Sequence, residues 1–149
     1  MEKTDQFSSR LLKSSDNSQT PCLQLIKGDE PFGGPQKGAL IEAQYQLGDD
    51  RYLLFITDDV PYEETLRIYL IAGNAEVLDS LEFGGYLANG TLEGLNIVGE
   101  QSIEFSFIHE KRCRLTVKSD SGWKKPLAFT PGVSRPGGLK KRFLDLEFV

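Results

Sequence analysis

From Ala39 onward the chain is written mostly in a period of two residues, and this period is the strongest constraint on what it can fold into. Ile41, Ala43, Tyr45 and Leu47 alternate with Glu42, Gln44 and Gln46. Ile103, Phe105 and Phe107 alternate with Glu104 and Ser106, and Cys113, Leu115 and Val117 alternate with Arg112, Arg114, Thr116 and Lys118. Leu144, Leu146 and Phe148 against Asp145 and Glu147 close the chain in the same way. Successive side chains of a strand point to opposite faces, so each segment reads as a strand with one face buried. Tyr52-Leu53-Leu54-Phe55-Ile56 is apolar at every position and reads as a central strand covered on both faces. No stretch of ten residues keeps helical spacing, which excludes architectures built on alternating strands and helices.

Turn signals separate the strands: Gly48-Asp49-Asp50, Gly73-Asn74 as a two-residue hairpin, Asn89-Gly90, Gly99-Glu100, and Ser119 to Gly122. The spacing predicts an all-β fold, an antiparallel meander forming a sandwich or barrel of about eight to ten short strands. At 149 residues this is one domain. It divides into a flexible N-terminal arm over 1–21, which holds five serines and ends at Pro21, and a single β domain over 22–149. Within the arm, Phe7, Leu11 and Leu12 are spaced for one weak helical turn by which it docks.

No apolar run approaches the ~18 residues of a membrane-spanning helix. The start, Met1 to Asp5, carries acids and leads into no apolar segment of a secretory signal. Cys22 and Cys113 are too few for a disulfide framework. These features together predict a soluble, cytoplasmic protein.

Charge is unevenly spread. Residues 1–27 carry a net +1, residues 28–100 a net −11, and residues 101–149 a net +5, within a total of −5. The densest acidic stretch is the loop Asp58-Asp59-Val60-Pro61-Tyr62-Glu63-Glu64, four carboxylates in seven residues with an aromatic among them. Clustered oxygens suit a hard cation, but the spacing is not that of an EF-hand and no glycine allows its sharp turn. Asp49 and Asp50 lie at the other end of a strand. The loop is therefore expected as a protein contact, with Asp58, Asp59, Tyr62, Glu63 and Glu64 meeting a basic partner surface. The opposite charge gathers in residues 124–142, where Lys124, Lys125, Arg135, Lys140, Lys141 and Arg142 occur with no acid and are interleaved with prolines and glycines. That loop is a candidate anion contact. A pI near 4.9 argues against a nucleic-acid partner.

No catalytic set assembles from the residue types present. His109 is the only histidine, so no second imidazole can complete a metal site with it. Cys113 follows His109 across a turn, but it shares a phase with Leu115 and Val117 and reads as a small buried hydrophobe. Gly33-Gly34-Pro35-Gln36-Lys37-Gly38 lacks the ending and the following helix of a phosphate loop. Asn89-Gly90-Thr91 matches a glycosylation acceptor but is read as a turn. Asn89-Gly90-Thr91-Leu92-Glu93-Gly94 resembles, over six residues, the Asn/Asp-x-Ser-x-x-Gly element of PilZ domains, small β-barrels that bind a cyclic dinucleotide. The Arg-x-x-x-Arg pair those domains also need is missing, since Arg51 and Arg67 stand alone. No family is assigned on that match.

The reading that follows is a non-catalytic cytoplasmic interaction module of inhibitor, immunity-like or adaptor type, with no cofactor or metal implied. Its partner is another protein with a basic surface, with neither nucleic acid nor membrane involved. Alternating apolar edge strands also leave a homodimer by strand pairing open. The alternative is a small-ligand β-barrel in which the basic C-terminal loop contacts an anionic ligand.

Overall fold

The computed structural model describes residues 1–13, 20–60, 64–84, 90–108, 111–122, 133–136 and 142–149. Its strands, in chain order, are β1 Glu2–Lys3, β2 Phe7–Lys13, β3 Cys22–Lys27, β4 Glu30–Pro31, β5 Gln36–Lys37, β6 Leu40–Leu47 and β7 Arg51–Thr57. They continue as β8 Leu66–Ala72, β9 Val77–Phe83, β10 Gly90–Ile97, β11 Ser102–Ile108, β12 Arg112–Gly122, β13 Val133–Ser134 and β14 Arg142–Phe148. Among the described residues there is no helix, and ten strands have six or more residues. The four two-residue strands account for the excess over the number the sequence periods predict. No helix of the described residues is long and apolar enough to cross a membrane.

All pairings are antiparallel and form three packed sheets, a sandwich-like arrangement. The central sheet has the order β1-β6-β7-β8-β9-β13, with the expected meander from β6 to β9. A second sheet, β10-β11-β12-β14, covers one face, and β2-β3-β4, with β5 also on β3, covers the other.

β7 explains why three layers form. Leu53 and Phe55 face the second sheet, where they join Leu66, Ile68, Leu81, Phe83, Ile103, Phe105, Leu115 and Val117 in one core. Tyr52, Leu54 and Ile56 point the other way and pack with Phe7, Leu23, Leu25, Phe32, Tyr69 and Ile71. A strand apolar at every position can be buried only between two layers. In the first core, Phe55 meets Phe105 edge-on at 5.3 Å between ring centroids, and Phe83 meets Phe105 and Phe107 at 5.8 and 6.0 Å. Edge-to-face rings align positive edges with negative faces, which adds to the area they bury.

Four local readings change. Residues 7–13, expected in the flexible arm with a helical turn, are strand β2 paired with β3 from Phe7↔Lys27 to Lys13↔Cys22. Glu2 and Lys3 pair with Gln46 and Tyr45, so long-range ladder bonds override a local spacing too short to nucleate a helix. Residues 14–19 lie outside the described set. The Gly73-Asn74 signal marks a hairpin, but the loop has three residues, closed by the Ala72 amide on the Glu76 carbonyl at 2.9 Å, with Ala75 at φ 72°. Ser119 to Gly122 is not a turn but the end of β12, whose register slips between Val117 and Gly122.

Finally, Ile41 does not share a face with Ala43, Tyr45 and Leu47. It pairs with Ile56 while Ala43 pairs with Phe55, which leaves Glu42 as an extra bulged residue. The bulge turns Ile41 to the second core.

Candidate functional site at the acidic end of the central sheet

β6 begins, β7 ends, β8 begins and β9 ends at the same edge of the central sheet. The loop carrying Asp58, Asp59 and Glu64 leaves and re-enters there.

Asp58 turns inward, its side chain only 12% exposed, and contacts the Arg67 guanidinium. Arg67 lies opposite Glu82 in the β8–β9 ladder and also donates to its carboxylate at 3.3 Å. Burial pushes the Asp58 carboxyl above its ordinary value, outweighing the pull of Arg67, and nearby Glu82 adds to the rise. Glu64 ties the loop to itself: its Oε1 accepts the amides of Asp58 at 2.9 Å and Thr65 at 3.2 Å. Its carboxyl is also raised, by burial, against the lowering effect of the backbone amides it accepts. Asp59 is exposed and sits at φ 58°, a left-handed conformation that Asp tolerates better than most residues.

The β6 bulge adds a carboxylate from elsewhere in the sequence. Exposed Glu42 accepts the Thr57 hydroxyl at 2.8 Å. With Thr57, Glu64, Gly90, Thr91 and Leu92 it lines an open crevice of about 280 Å³. Gly90 lets β10 come close: a Cβ there would overlap the Phe107 carbonyl. This end of the sheet therefore gathers Glu42, Asp58, Asp59, Glu64 and Glu82, with Arg67 paired to two of the five. Tyr62 and Glu63 lie outside the described residues.

Of the six basic residues expected as an anion contact, Arg135 is the one whose side chain lies among the described residues, and it is engaged by an acid. Its side chain, 8% exposed, pairs with the Asp79 carboxylate, itself 3% exposed, and donates to the Leu144 carbonyl at 2.8 Å. The same Asp79 oxygen accepts the amides of Phe143 and Leu144, each at 2.9 Å, so one carboxylate bolts β9 to β14. Lys124, Lys125, Lys140 and Lys141 lie outside the described residues, and Arg142 opens β14.

At the opposite end of β7, Arg51 is buried. It donates to the Lys118 carbonyl at 2.7 Å, pairs with Asp49 at 2.5 Å and lies over the Phe143 ring at 5.8 Å. Its hydrogen bond holds the Asp49 carboxyl below its usual value.

Sequence reading passed over Glu42, Arg51, Arg67 and Asp79 as site or framework residues. Three of them carried a signal, a charge on the inward phase of a strand. Asp79 is in phase with Leu81 and Phe83, Arg67 with Tyr69 and Ile71, and Arg51 with Leu53 and Phe55. Glu42 carried none, because a bulge cannot be read from alternation.

Cys113 is fully buried between strands, and burial pushes its thiol up to about 11. His109 lies outside the described residues. Among the described residues, no three His, Cys, Asp or Glu side chains are arranged to hold a metal ion. Comparison with protein-family models, curated proteins and solved structures finds no match to this chain.

Proposed function

We propose that the protein is a non-catalytic interaction module that meets a basic surface of a partner protein with the acidic end of its central sheet. The observation that carries this is the convergence of Glu42 with the loop carboxylates. A bulge in one strand and a loop between two others bring exposed Glu42 and Asp59 to the same edge as Glu64. Asp58 and Glu82 stand behind them, held by Arg67. Two layers of work divide the acids: Asp58 and Glu64 shape the loop, while Asp59 and Glu42 face the partner. An exposed field of one sign raises the encounter rate with the opposite sign and is screened within about 8–10 Å at physiological salt.

The small-ligand reading gains no comparable support. Arg135 is engaged by Asp79, and the space between the central and second sheets is filled by Phe55, Phe83, Phe105 and Phe107.

The test is affinity purification from native extract with the wild type and with Glu42→Gln/Asp59→Asn side by side, washed at low and high salt. Both substitutions keep hydrogen-bond acceptors, and Asn tolerates the left-handed backbone at position 59. A basic protein that stays with the wild type at low salt, leaves at high salt and is absent from the double variant is the expected result. Equal recovery by both proteins would refute the assignment of the surface.

A further inference from the structure

The outer face of the third sheet carries the charge opposite to that of the acidic end. Directly opposed residues of an antiparallel pair share a face. Leu23 and Leu25 point into the core, so Cys22 and Gln24 point outward, and their cross-strand partners point outward with them. Those partners are Arg10 for Gln24 and, on either side of Cys22, Lys13 and Lys37. The register of β2 slips between Leu11 and Lys13, and this slip is what sets Lys13 opposite Cys22; an unbroken register would put Leu12 there. All three cations are exposed, and the two lysines end β2 and β5. Their Cα atoms stand about 10 Å apart across β3, two strand spacings. β2, β3 and β5 contain no acid. Among the described residues, none of the three cations reaches a carboxylate within ion-pair distance.

This basic rim lies at the same end of the molecule as the acids. The Tyr69 hydroxyl donates to the Lys37 carbonyl at 2.9 Å, and two residues further on the Ala39 amide donates to the Thr57 carbonyl at 2.8 Å. Thr57 in turn holds Glu42. The charge therefore changes sign around one end. It is positive on the third-sheet side, and negative from Asp59 across to Glu42 and Glu64, which line the crevice against Gly90 and Thr91 on the second-sheet side.

Resting on the reading of the acidic end as a contact surface, we infer that a second copy of this chain covers it. Two molecules meet end to end about a two-fold axis, with the Lys13 and Lys37 rim of each against Glu42 and Asp59 of the other. A two-fold axis across this end reverses the order of the layers, so the third-sheet side of one copy faces the second-sheet side of the other. Each contact between opposite charges is then made twice and the pair is closed, whereas a head-to-tail contact would run on into a chain. Exposed ion pairs contribute little each, so the dimer is weak, with Kd on the order of 0.1 mM. The dimer and a basic partner use the same carboxylates, so self-association is the resting cover of the site and a partner of denser positive charge displaces it.

Sedimentation velocity from about 10 µM to 1 mM protein brackets such a constant. At about 0.1 M salt the Debye length of about 10 Å screens the net −5 across the molecule but not charges in contact. The expected result is a reversible shift from monomer to dimer that disappears at about 1 M salt. Lys13→Glu/Lys37→Glu stays monomeric, because both contact surfaces are then acidic. Glu42→Lys/Asp59→Asn stays monomeric as well, because the rim has lost its acids. An equal mixture of the two dimerises: the intact rim of one meets the intact acids of the other, and the two altered surfaces also oppose in sign. Recovery in the mixture shows that both variants are folded. A wild type that stays monomeric, a dimer that either variant retains alone, or a mixture that stays monomeric overturns the inference. Capture of a basic protein from extract separates it from the reading it rests on. A monomeric wild type that captures such a protein refutes self-association alone, and a salt-sensitive dimer that captures none supports self-association and refutes the basic partner.

Discussion

Asp79 offers the sharpest quantitative test of how the layers are joined. It lies on the apolar phase of β9, 3% exposed, and one of its oxygens serves Arg135 and the amides of Phe143 and Leu144. Its other oxygen accepts the Ser80 amide at 2.8 Å. Asp79→Ala leaves a buried guanidinium without its counter-charge and takes the carboxylate acceptor from three amides at once. Breaking a buried ion pair by removing one partner costs about 3–5 kcal/mol. Each amide left without an acceptor can add about 1–3 kcal/mol before relaxation. The upper part of the first range, about 4–5 kcal/mol, is therefore expected, a large share of the roughly 5–15 kcal/mol that stabilises a domain. Arg135→Met is expected to cost less, about 1–3 kcal/mol, because the carboxylate keeps three backbone donors. Urea unfolding followed by circular dichroism measures both. Hydrogen exchange at Phe143 and Leu144 should accelerate in Asp79→Ala and stay near wild type in Arg135→Met. Losses below about 1 kcal/mol in both variants, or a larger loss in Arg135→Met, would refute the reasoning.

Three further outcomes follow from the same geometry. Asp58 and Glu64 have pKa values raised above their ordinary 3.8 and 4.5, so the folded state holds those protons more tightly than the unfolded chain. Their contribution to stability is complete below the ordinary values and is lost as pH rises through the raised ones; Asp58→Asn with Glu64→Gln should flatten that fall in a pH series of unfolding curves. Gly90→Ala drives a Cβ into the Phe107 carbonyl, and a loss of about 1–3 kcal/mol by urea unfolding is expected from such overpacking. Of the two thiols, partly exposed Cys22 should react with a thiol reagent in the native protein, while Cys113, fully buried with its thiol pushed up to about 11, should react only on unfolding.

The layered architecture was legible wherever burial alone sets the pattern. Tyr52 to Ile56 specified a strand between two layers, and the alternations around Phe105, Leu115 and Leu144 specified strands with one apolar face. What escaped was set by contacts distant in sequence. Phe7 to Lys13 has little strand pattern of its own and is strand because β3 and Gln44 complete its hydrogen bonds. The bulge at Glu42 inverts the phase of Ile41 in a way no count of alternating residues reveals. For the candidate site, the loop acids were visible as a cluster, but their division of labour depends on Arg67, nine residues beyond Asp58 and opposite Glu82 in the β8–β9 ladder. The pairing of Arg135 was not legible because its partner, Asp79, is 56 residues distant.

The most direct test of the acidic end as a contact surface is the salt dependence of affinity for the captured partner, measured for the wild type and for Glu42→Gln/Asp59→Asn. Each exposed carboxylate that meets a basic group makes affinity fall as salt rises. The account predicts a steep decline for the wild type and, for the double variant, weaker binding with a shallower decline. Matching affinities and slopes in the two proteins would contradict it and place the contact elsewhere on the molecule.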